Sequence, residues 1–366
     1  MEAPGKQSIS VGQLAILYIS YMVGSSIVYV PNQVIHLAGN MGWLSLVVST
    51  LMGILFMSLM IYLYRCYPDE MYTVYFDRVY GKWIAGVFVV LLILMLLLMC
   101  SYIVLGIGLF LTNTMMVETP MYVFNALTIV IATYAVHAGI EVMGRMFFLL
   151  TASMLATIVI IVCLATPLAR VESLLPLFAD GVKPILHGVY FLFGFPFGEM
   201  FLFSAILPFV RKESRQRVGK WMYAMTAITG ILQLAVTVTA ITTLGPLAGD
   251  RKYSLYAMAR MIEVGQFLIG LEAIVGIALI AGSFTKTTVV LYVLNAVMSH
   301  FFRLNDNKLL LPAISFMTFL MSMMMFEMEF VFSVQVVWPL IVMGIGVGPL
   351  VLAALITMVK RSMGRG

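Results

Sequence analysis

The sequence predicts an all-α integral membrane protein of ten transmembrane helices. Of its 366 residues, 62% are hydrophobic and only 10% are charged, and the mean hydropathy is +1.06. A soluble domain is about half apolar and a quarter charged, so these proportions exclude a soluble core. Because a spanning helix needs roughly 20 apolar residues, ten spans leave only short connections. Residues 1–366 are therefore expected to form a single transmembrane domain.

Ten apolar runs long enough to cross a bilayer follow one another along the chain. The first has no small-residue cleavage site after it, so we expect it to stay in the mature protein rather than to be removed as a signal peptide. Two runs, the first and the sixth, contain helix-breaking residues. The predicted spans are residues 11–36, 41–63, 83–112, 121–138, 146–167, 186–210, 221–244, 267–301, 309–326 and 331–359.

The distribution of basic residues predicts the orientation of the spans. In membrane proteins, Lys and Arg concentrate in the cytoplasmic loops. With the amino terminus in the cytoplasm, fifteen basic residues fall inside, five fall outside and Lys286 lies within the eighth span. An odd number of spans would scramble this alternation. We therefore expect ten spans, cytoplasmic amino and carboxyl termini, and a basic cytoplasmic loop at residues 211–220.

The breaks in the first and sixth spans occupy similar places in the two halves of the chain. The first span reads YMVGSSIVYVP around Gly24, and the sixth reads YFLFGFPFGEMFLF around Pro196. Proline removes a backbone donor and glycine weakens a helix, so polar backbone is exposed there. Membrane proteins tolerate such backbone only where it faces protein or lines a cavity. Two breaks five spans apart predict a five-plus-five inverted repeat, over about residues 8–167 and 184–359, with a ligand site at the paired breaks.

The same segments resemble a known family. The amino-terminal GQLAILYISYMVGSSIVYVP, the GFPFGE element of the sixth span and the basic RKESRQR after it are similar to the B subunit of the GerA-type spore germinant receptors. These receptors are a branch of the amino acid-polyamine-organocation transporter superfamily. The resemblance extends from Ser10 to about Arg361, and it implies the ten-helix, LeuT-like fold of that superfamily.

The resemblance also implies a function and partners. Members of the family sense a small nutrient in the inner membrane of a dormant spore, together with an A subunit that has membrane and soluble parts and a C subunit that is a lipoprotein. They recognise amino acids, sugars or nucleosides, and binding leads to ion release and exit from dormancy. The chain departs from the superfamily pattern at the third position of the first break, which is often glycine and is Ser26 here. This serine leaves less room for a ligand backbone.

The two breaks predict complementary groups for a zwitterionic amino acid. If the first helix breaks at Gly24, the N–H groups of Ser26 and Ile27 begin its second half and favour an anionic group such as a carboxylate. Unwound carbonyls near Gly194 and Phe195 would accept hydrogen bonds from an ammonium group or hydroxyls. The alternatives are close helix contact for the glycines and packing for the aromatic run. The expected ligand-binding residues are Gly24, Ser25, Ser26, Ile27, Tyr102, Gly194, Phe195, Phe197, Gly198 and Glu199.

Glu199 and Lys286 are the charged side chains singled out within the spans, where a charge is expensive and indicates a functional site by default. Glu199 is interpreted either as a ligand contact or as a cap for the half-helix that follows it. Lys286 is interpreted as a coupling residue, which either supplies a fixed cation where related transporters hold sodium or takes up a proton. The alternative is a long side chain that reaches the interface or pairs with a helix end. Tyr102 in the third span is a candidate for a ligand contact through its hydroxyl, with packing as the alternative.

The sequence predicts no cofactor, no metal site and no nucleic-acid partner. The three cysteines lack CxxC spacing, and the chain contains no HExxH helix, no GK[ST] phosphate loop and no nucleophile elbow. We therefore do not expect an enzyme. The favoured function is a nutrient-receptor subunit that binds a small ligand, preferably an amino acid, in a midplane pocket. The alternative is a proton-coupled amino acid permease with the same pocket.

Overall fold

A computed structural model of the chain describes residues 8–179, 181–262, 270–304, 306, 308–325 and 337–362. Within these ranges the secondary structure is helical, apart from one isolated bridge between Ile9 and Val210. The helices are α1 Val11–Val23, α2 Ser26–Ala38, α3 Gly42–Cys66, α4 Tyr72–Tyr80, α5 Lys82–Thr114, α6 Met121–Ala138, α7 Ile140–Ala165, α8 Lys183–Leu192, α9 Phe203–Ile206, α10 Arg215–Leu244, α11 Ser254–Met261, α12 Leu271–Phe301, α13 Leu311–Met324 and α14 Val337–Ser362.

The described helices follow the ten-span order predicted from the sequence. Eight helical stretches are long and apolar enough to cross a membrane, and the helices Val11–Val23 and Leu311–Met324 are shorter apolar ones. One of the eight, Ser26–Cys66, contains the second half of span one together with span two. The predicted starts of spans eight and ten, at 267 and 331, and the predicted end of span nine, at 326, lie outside the described residues.

Most predicted boundaries agree with the helices, and two helix starts differ for identifiable reasons. The fourth span coincides with α6, Met121–Ala138. The helix of the fifth span, α7, begins at Ile140, before the predicted 146, directly after the turn at Gly139, which has a positive φ of 96°. Glu141 and Arg145 therefore lie in the helix, where they pair across one turn at 2.6 Å. The helix of the seventh span, α10, begins at Arg215, before the predicted 221, so part of the basic segment 211–220 is helical. The short amphipathic helices α4 and α11 were not predicted.

The first span is broken into α1 and α2, as the sequence predicts. Ser10 and Gln13 form a capping box at the start of α1, in which each side chain bonds to the backbone of the other residue. The helix ends at Val23, and the backbone of the next residue, Gly24, has φ −1° and ψ −115°, outside the helical region. The chain becomes helical again at Ser26.

The sixth span is irregular along the predicted element. A π-helical turn covers Phe193–Phe197, and Phe195 inside it has the extended values φ −148° and ψ 114°. A 3₁₀ stretch, Gly198–Leu202, follows before α9. Because Pro196 lacks an N–H group, it cannot continue the ordinary helical bonding at this point. The structure therefore contains broken first and sixth spans.

The eighth span, α12, lies at the centre of the bundle. It packs against α5, α6, α7 and α1, and most of its side chains are buried. The first span packs on α12 and also on α7 and α10. The irregular part of the sixth span packs against a second π-helical turn, Val342–Val347 in α14, which the sequence did not predict. Spans one, six, eight and ten therefore meet in the core.

Candidate functional site

A buried ion pair joins the sixth and eighth spans. The Lys286 Nζ lies 2.7 Å from the Glu199 Oε2, and the two side chains are 0% and 2% exposed. Glu199 comes from the 3₁₀ stretch just after the break in span six, and Lys286 comes from the middle of α12. The structure thus brings together the two charged residues that the sequence singled out, as partners of each other.

Two further donors hold the Glu199 carboxylate. The Trp338 Nε1 donates to Oε1 at 3.1 Å, and the Tyr21 hydroxyl donates to Oε2 at 3.4 Å. Lys286, Tyr21 and Trp338 belong to the eighth, first and tenth spans respectively. One carboxylate therefore connects span six to three other spans.

Aromatic rings surround the Lys286 ammonium group. Its Nζ lies 4.2 Å from the centroid of the Phe195 ring and 5.1 Å from that of Tyr21. A cation near the face of an aromatic ring is stabilised by the ring quadrupole, most strongly when water is excluded. The extended backbone of Phe195 interrupts the helix next to this ring. These contacts offset part of the cost of burying the charge.

The first break is closed by side-chain hydrogen bonds. The Ser26 hydroxyl lies 2.5 Å from the Met22 carbonyl oxygen and 3.0 Å from that of Val23, at the end of α1. The Gln233 Nε2 in α10 donates to the same hydroxyl at 2.6 Å. Ser26 therefore satisfies carbonyl groups that the end of a helix leaves without partners. The glycine that the superfamily often has at this position could not do so.

The first N–H groups of α2 lie beside the same break. Ser25 and Ile27, which flank Ser26, are both buried. The helix from Ser26 to Ala38 begins here, and the first N–H groups of a helix have no partner within it. They also carry the positive end of the helix dipole. This end of α2 is suited to an anionic group.

Gly24 is in close backbone contact with the eighth span. A Cβ atom added to Gly24 would lie 2.9 Å from the Gly282 carbonyl oxygen, and one added to Gly282 would lie 2.7 Å from the Gly24 backbone. The Thr285 hydroxyl donates to the Gly282 carbonyl oxygen at 2.9 Å, and a weaker contact reaches the Ser20 carbonyl oxygen at 3.4 Å. The glycine at the first break therefore also serves as a helix contact.

The other glycines predicted at the sixth-span break contact span ten. A Cβ on Gly194 would lie 2.5 Å from Pro339, and one on Gly198 would lie 2.9 Å from Val342 as well as 2.4 Å from the Phe193 carbonyl oxygen. These distances require glycine at both positions.

Phe197 packs on α3, and Tyr102 lies near Tyr29 and Tyr253. The Phe197 ring packs on Gly53 of α3, where a Cβ on the glycine would meet it at 2.8 Å. Tyr102 is half-buried one turn before Gly106 in α5, and the Gly106 carbonyl oxygen accepts a hydrogen bond from the Tyr29 hydroxyl at 2.9 Å. Phe195, Glu199 and Lys286 therefore form the centre of the candidate site.

Three residues of the site, Tyr21, Gln233 and Trp338, were not predicted from the sequence. Tyr21 lies one turn before the first break, and its closeness to the break in sequence was the only indication that it belongs to the site. Gln233 is a completely buried amide in span seven, and a polar residue at that depth was also a signal. Trp338 follows the segment 326–336, and nothing in its local sequence predicted a contact with Glu199. Among the described residues, no three His, Cys, Asp or Glu side chains are grouped to hold a metal ion.

Comparison with known proteins finds sequence likeness to proteins of spore germination. The family described as "Spore germination protein" matches residues 8–331. The chain is 28% identical over 291 residues to "Spore germination protein KB" of Bacillus subtilis (strain 168), which covers 78% of this chain and 77% of that protein. It is 21% identical over 182 residues to "Spore germination protein YndE" of the same organism, which covers 50% of each chain.

Solved structures with the same fold include transporters. The protein MhsT in complex with L-phenylalanine superposes with a TM-score of 0.69 at 15% identity, over 97% of this chain and 90% of that one. A Na⁺-coupled sialic acid symporter in a substrate-bound outward-open state gives a TM-score of 0.67 at 12% identity, over 88% and 74% of the chains. These likenesses confirm the predicted LeuT-like fold with its five-plus-five inverted repeat. The repeat boundaries at about 8–167 and 184–359 stay a prediction.

Proposed function

This chain belongs to the spore germination protein family, and we propose that it is the membrane subunit of a germinant receptor, in which a zwitterionic amino acid binds by replacing the buried ion pair between Glu199 and Lys286. The observation that carries the proposal is this pair, at the meeting point of spans one, six, eight and ten. The family and the fold support a receptor or transporter rather than an enzyme.

The chemistry of an amino acid fits the groups at the site. Its ammonium group can take the place of Lys286 beside the Glu199 carboxylate. Its carboxylate can pair with Lys286 and accept hydrogen bonds from the N–H groups at the start of α2, near Ser26. The Phe195 ring, which now covers the Lys286 ammonium group, is placed to contact the ligand side chain.

The energetics of the pair favour a ligand that carries both charges. Separating a buried ion pair without replacing the partners costs about 3–5 kcal/mol, because each charge is left unpaired in a medium of low dielectric. A zwitterion supplies a new partner to Glu199 and to Lys286 at once. A sugar supplies neutral hydroxyl groups, and a nucleoside adds the neutral donors and acceptors of its base, so both compensate each charge less well. We therefore favour an amino acid over these alternatives as the ligand.

Separation of the pair provides an origin for the signal. In the present conformation, Glu199 holds span six against spans one, eight and ten. A ligand that inserts between Glu199 and Lys286 releases the direct link between spans six and eight. The change in conformational balance is then set by the ligand's preference for the separated state.

The proposal includes partners and a location that the family resemblance implies. The partners are the A subunit and the C lipoprotein subunit of the receptor, which would read the movement of span six. The location is the inner membrane of a bacterial spore, with both termini in the cytoplasm. Lys286 acts in this account as a fixed cation in place of the mobile sodium ion that related transporters hold.

A proton-coupled amino acid permease is the second candidate, and two observations favour it. Solved structures with this fold include transporters. A buried carboxylate beside a buried ammonium group can take up a proton in one conformational state of the protein and release it in the other. The permease would bind its substrate at the same ion pair and complete the alternating cycle itself.

The experiment measures ligand binding and transport on the purified chain. In detergent, we expect an L-amino acid to raise the thermal unfolding midpoint, because a ligand that binds only the folded state stabilises it. Sugars and nucleosides serve as the comparison. Reconstituted alone into liposomes, the receptor should show no net amino acid uptake above empty liposomes. Net uptake would favour the permease. If no amino acid raised the midpoint, the proposed site would be contradicted.

A further inference from the structure

A second polar site lies at one end of the bundle, away from the ion pair. A cavity of about 320 Å³ opens between the last turns of α3 and the first turns of α10. Ile61 and Pro68 line it from the α3 side, and Gln216 and Gly219 line it from α10. This volume is at the lower end of the range of small-molecule sites, which begins at about 300 Å³.

Two arginines border this cavity, and each has hydrogen-bonding capacity left. Both terminal nitrogens of Arg215 face the carboxylate of Asp69, at 2.5 and 3.4 Å. The Arg215 Nε is buried and has no hydrogen-bond partner among the described residues. Arg65 reaches across from α3, so that its Nη2 lies 3.9 Å from where a Cβ on Gly219 would be. Arg65 forms no ion pair with the acidic residues that the structure describes.

A buried hydroxyl in the same cavity also lacks a partner. The side chain of Tyr64 lines the cavity and is 7% exposed, and its hydroxyl has no hydrogen-bond partner in the described part of the chain. This hydroxyl interacts electrostatically with both Arg215 and Asp69. Buried polar groups are normally paired, so an unpaired donor in a cavity that two arginines line indicates a missing acceptor. A tetrahedral oxyanion would accept from all three donors.

The geometry points to a phosphate-binding site formed by Tyr64, Arg65 and Arg215. Guanidinium groups bind phosphate through charged, paired hydrogen bonds, which a lysine cannot reproduce. The site lies where the second span ends and the seventh begins, which is the level of lipid headgroups in a bilayer. Basic pockets between spans at this level bind anionic headgroups. The phosphate group therefore belongs to an anionic lipid or to a free phosphate in solution, and these sources are separable by experiment.

The neighbouring charges strengthen the attraction for an anion. The segment 211–220 carries five basic residues and one acidic residue, and most of it is exposed. Asp69, the acidic side chain that contacts Arg215, is already paired with it at 2.5 Å. The site shares no residue with the Glu199–Lys286 pair, so it does not depend on the proposed function.

The test uses the purified full-length chain in a nonionic detergent. Short-chain phosphatidylglycerol, short-chain phosphatidylcholine and inorganic phosphate are titrated separately, and the thermal unfolding midpoint gives an apparent affinity for each. The variants are Arg65→Gln and Gly219→Leu, which fills the cavity. The matched control is Arg217→Gln, which removes the same charge from an exposed position in the same segment. The unliganded midpoint of each variant reports whether it folds.

We expect phosphatidylglycerol to raise the midpoint of the wild type and of Arg217→Gln alike. Arg65→Gln should weaken the apparent affinity about tenfold or more, as loss of one charged hydrogen bond predicts, and Gly219→Leu should abolish binding. If inorganic phosphate competes with the lipid, the source is free phosphate; if it does not, the source is the lipid headgroup. Equal weakening by Arg65→Gln and Arg217→Gln, or no midpoint rise with any phosphate compound, would overturn the site.

Discussion

Removal of the buried charge at Lys286 tests the energetic account of the core. In Lys286→Met, a side chain of similar length replaces the lysine, but the Glu199 carboxylate loses the partner that lies at 2.7 Å. Breaking a buried ion pair by removing one partner costs about 3–5 kcal/mol. Unfolding entropy of about 2.1 cal/mol/K per residue gives roughly 0.8 kcal/mol per degree for a chain of this length. We therefore expect the midpoint to fall by about 4–6 °C.

A double-mutant cycle separates the pair from the individual side chains. Glu199→Gln keeps an acceptor for Tyr21 and Trp338 but removes the charge. We expect this variant to lose a similar amount, because Lys286 is then left buried without its anion. The double variant should lie within about 1 kcal/mol of the wild type, since neutral replacement of both members of a buried pair is often close to neutral. The measurement is thermal unfolding of the purified protein, followed by intrinsic fluorescence.

An exposed ion pair in the same protein provides the matched control. Glu141 and Arg145 pair at 2.6 Å one turn apart, and their side chains are 36% and 72% exposed. Exposed pairs of this kind contribute at most about 0.5 kcal/mol. We expect Arg145→Met to shift the midpoint by less than about 1 °C. The account is refuted if Lys286→Met costs as little as Arg145→Met, or if the two core substitutions add up in the double variant.

Two further predictions concern the first break. Gly24→Ala and Gly282→Ala should each destabilise the protein by about 1–3 kcal/mol, because each Cβ would meet the opposing backbone at 2.9 or 2.7 Å. Gly344→Ala, where a Cβ meets no atom within 4 Å, should not destabilise the protein. Equal unfolding midpoints for the three variants would contradict the close backbone contact between Gly24 and Gly282. Ser26→Ala should cost about 1–3 kcal/mol, because it leaves the buried Gln233 amide without its 2.6 Å partner. A midpoint for Ser26→Ala equal to that of the wild type would show that water or another group replaces the hydroxyl.

Local sequence patterns predicted the helices better than their interruptions. The fourth span was predicted to the residue because apolar residues fill it and Pro120 and Gly139 bound it. Both breaks were predicted because glycine and proline are the usual causes of a sharp kink in a helix. The π-helical turn Val342–Val347 has two glycines but no proline, and its sequence reads as an ordinary apolar helix. The short helix α4 is too polar to be a span, and it is too short to show a clear helical repeat of apolar residues.

The components of the candidate site could be predicted, but their arrangement could not. Glu199 and Lys286 stood out because charges are rare in membrane spans, yet they were interpreted separately. Their opposite signs were a usable signal, since a buried charge needs a partner. The contact of Trp338 with Glu199 depends on how the tenth span packs on the sixth, and no local pattern encodes that packing. The same holds for Phe197, which faces α3 although its neighbour Phe195 covers Lys286.

The most direct test of the central claim measures amino acid binding against derivatives that lack one charge. The chain is titrated with an L-amino acid that raises its unfolding midpoint, with the amide of that amino acid and with its N-acetyl form. The account predicts that the free amino acid binds and that each blocked form binds at least about tenfold more weakly, because one member of the Glu199–Lys286 pair is then left uncompensated. Equal affinity for the blocked forms would contradict replacement of the ion pair by the ligand.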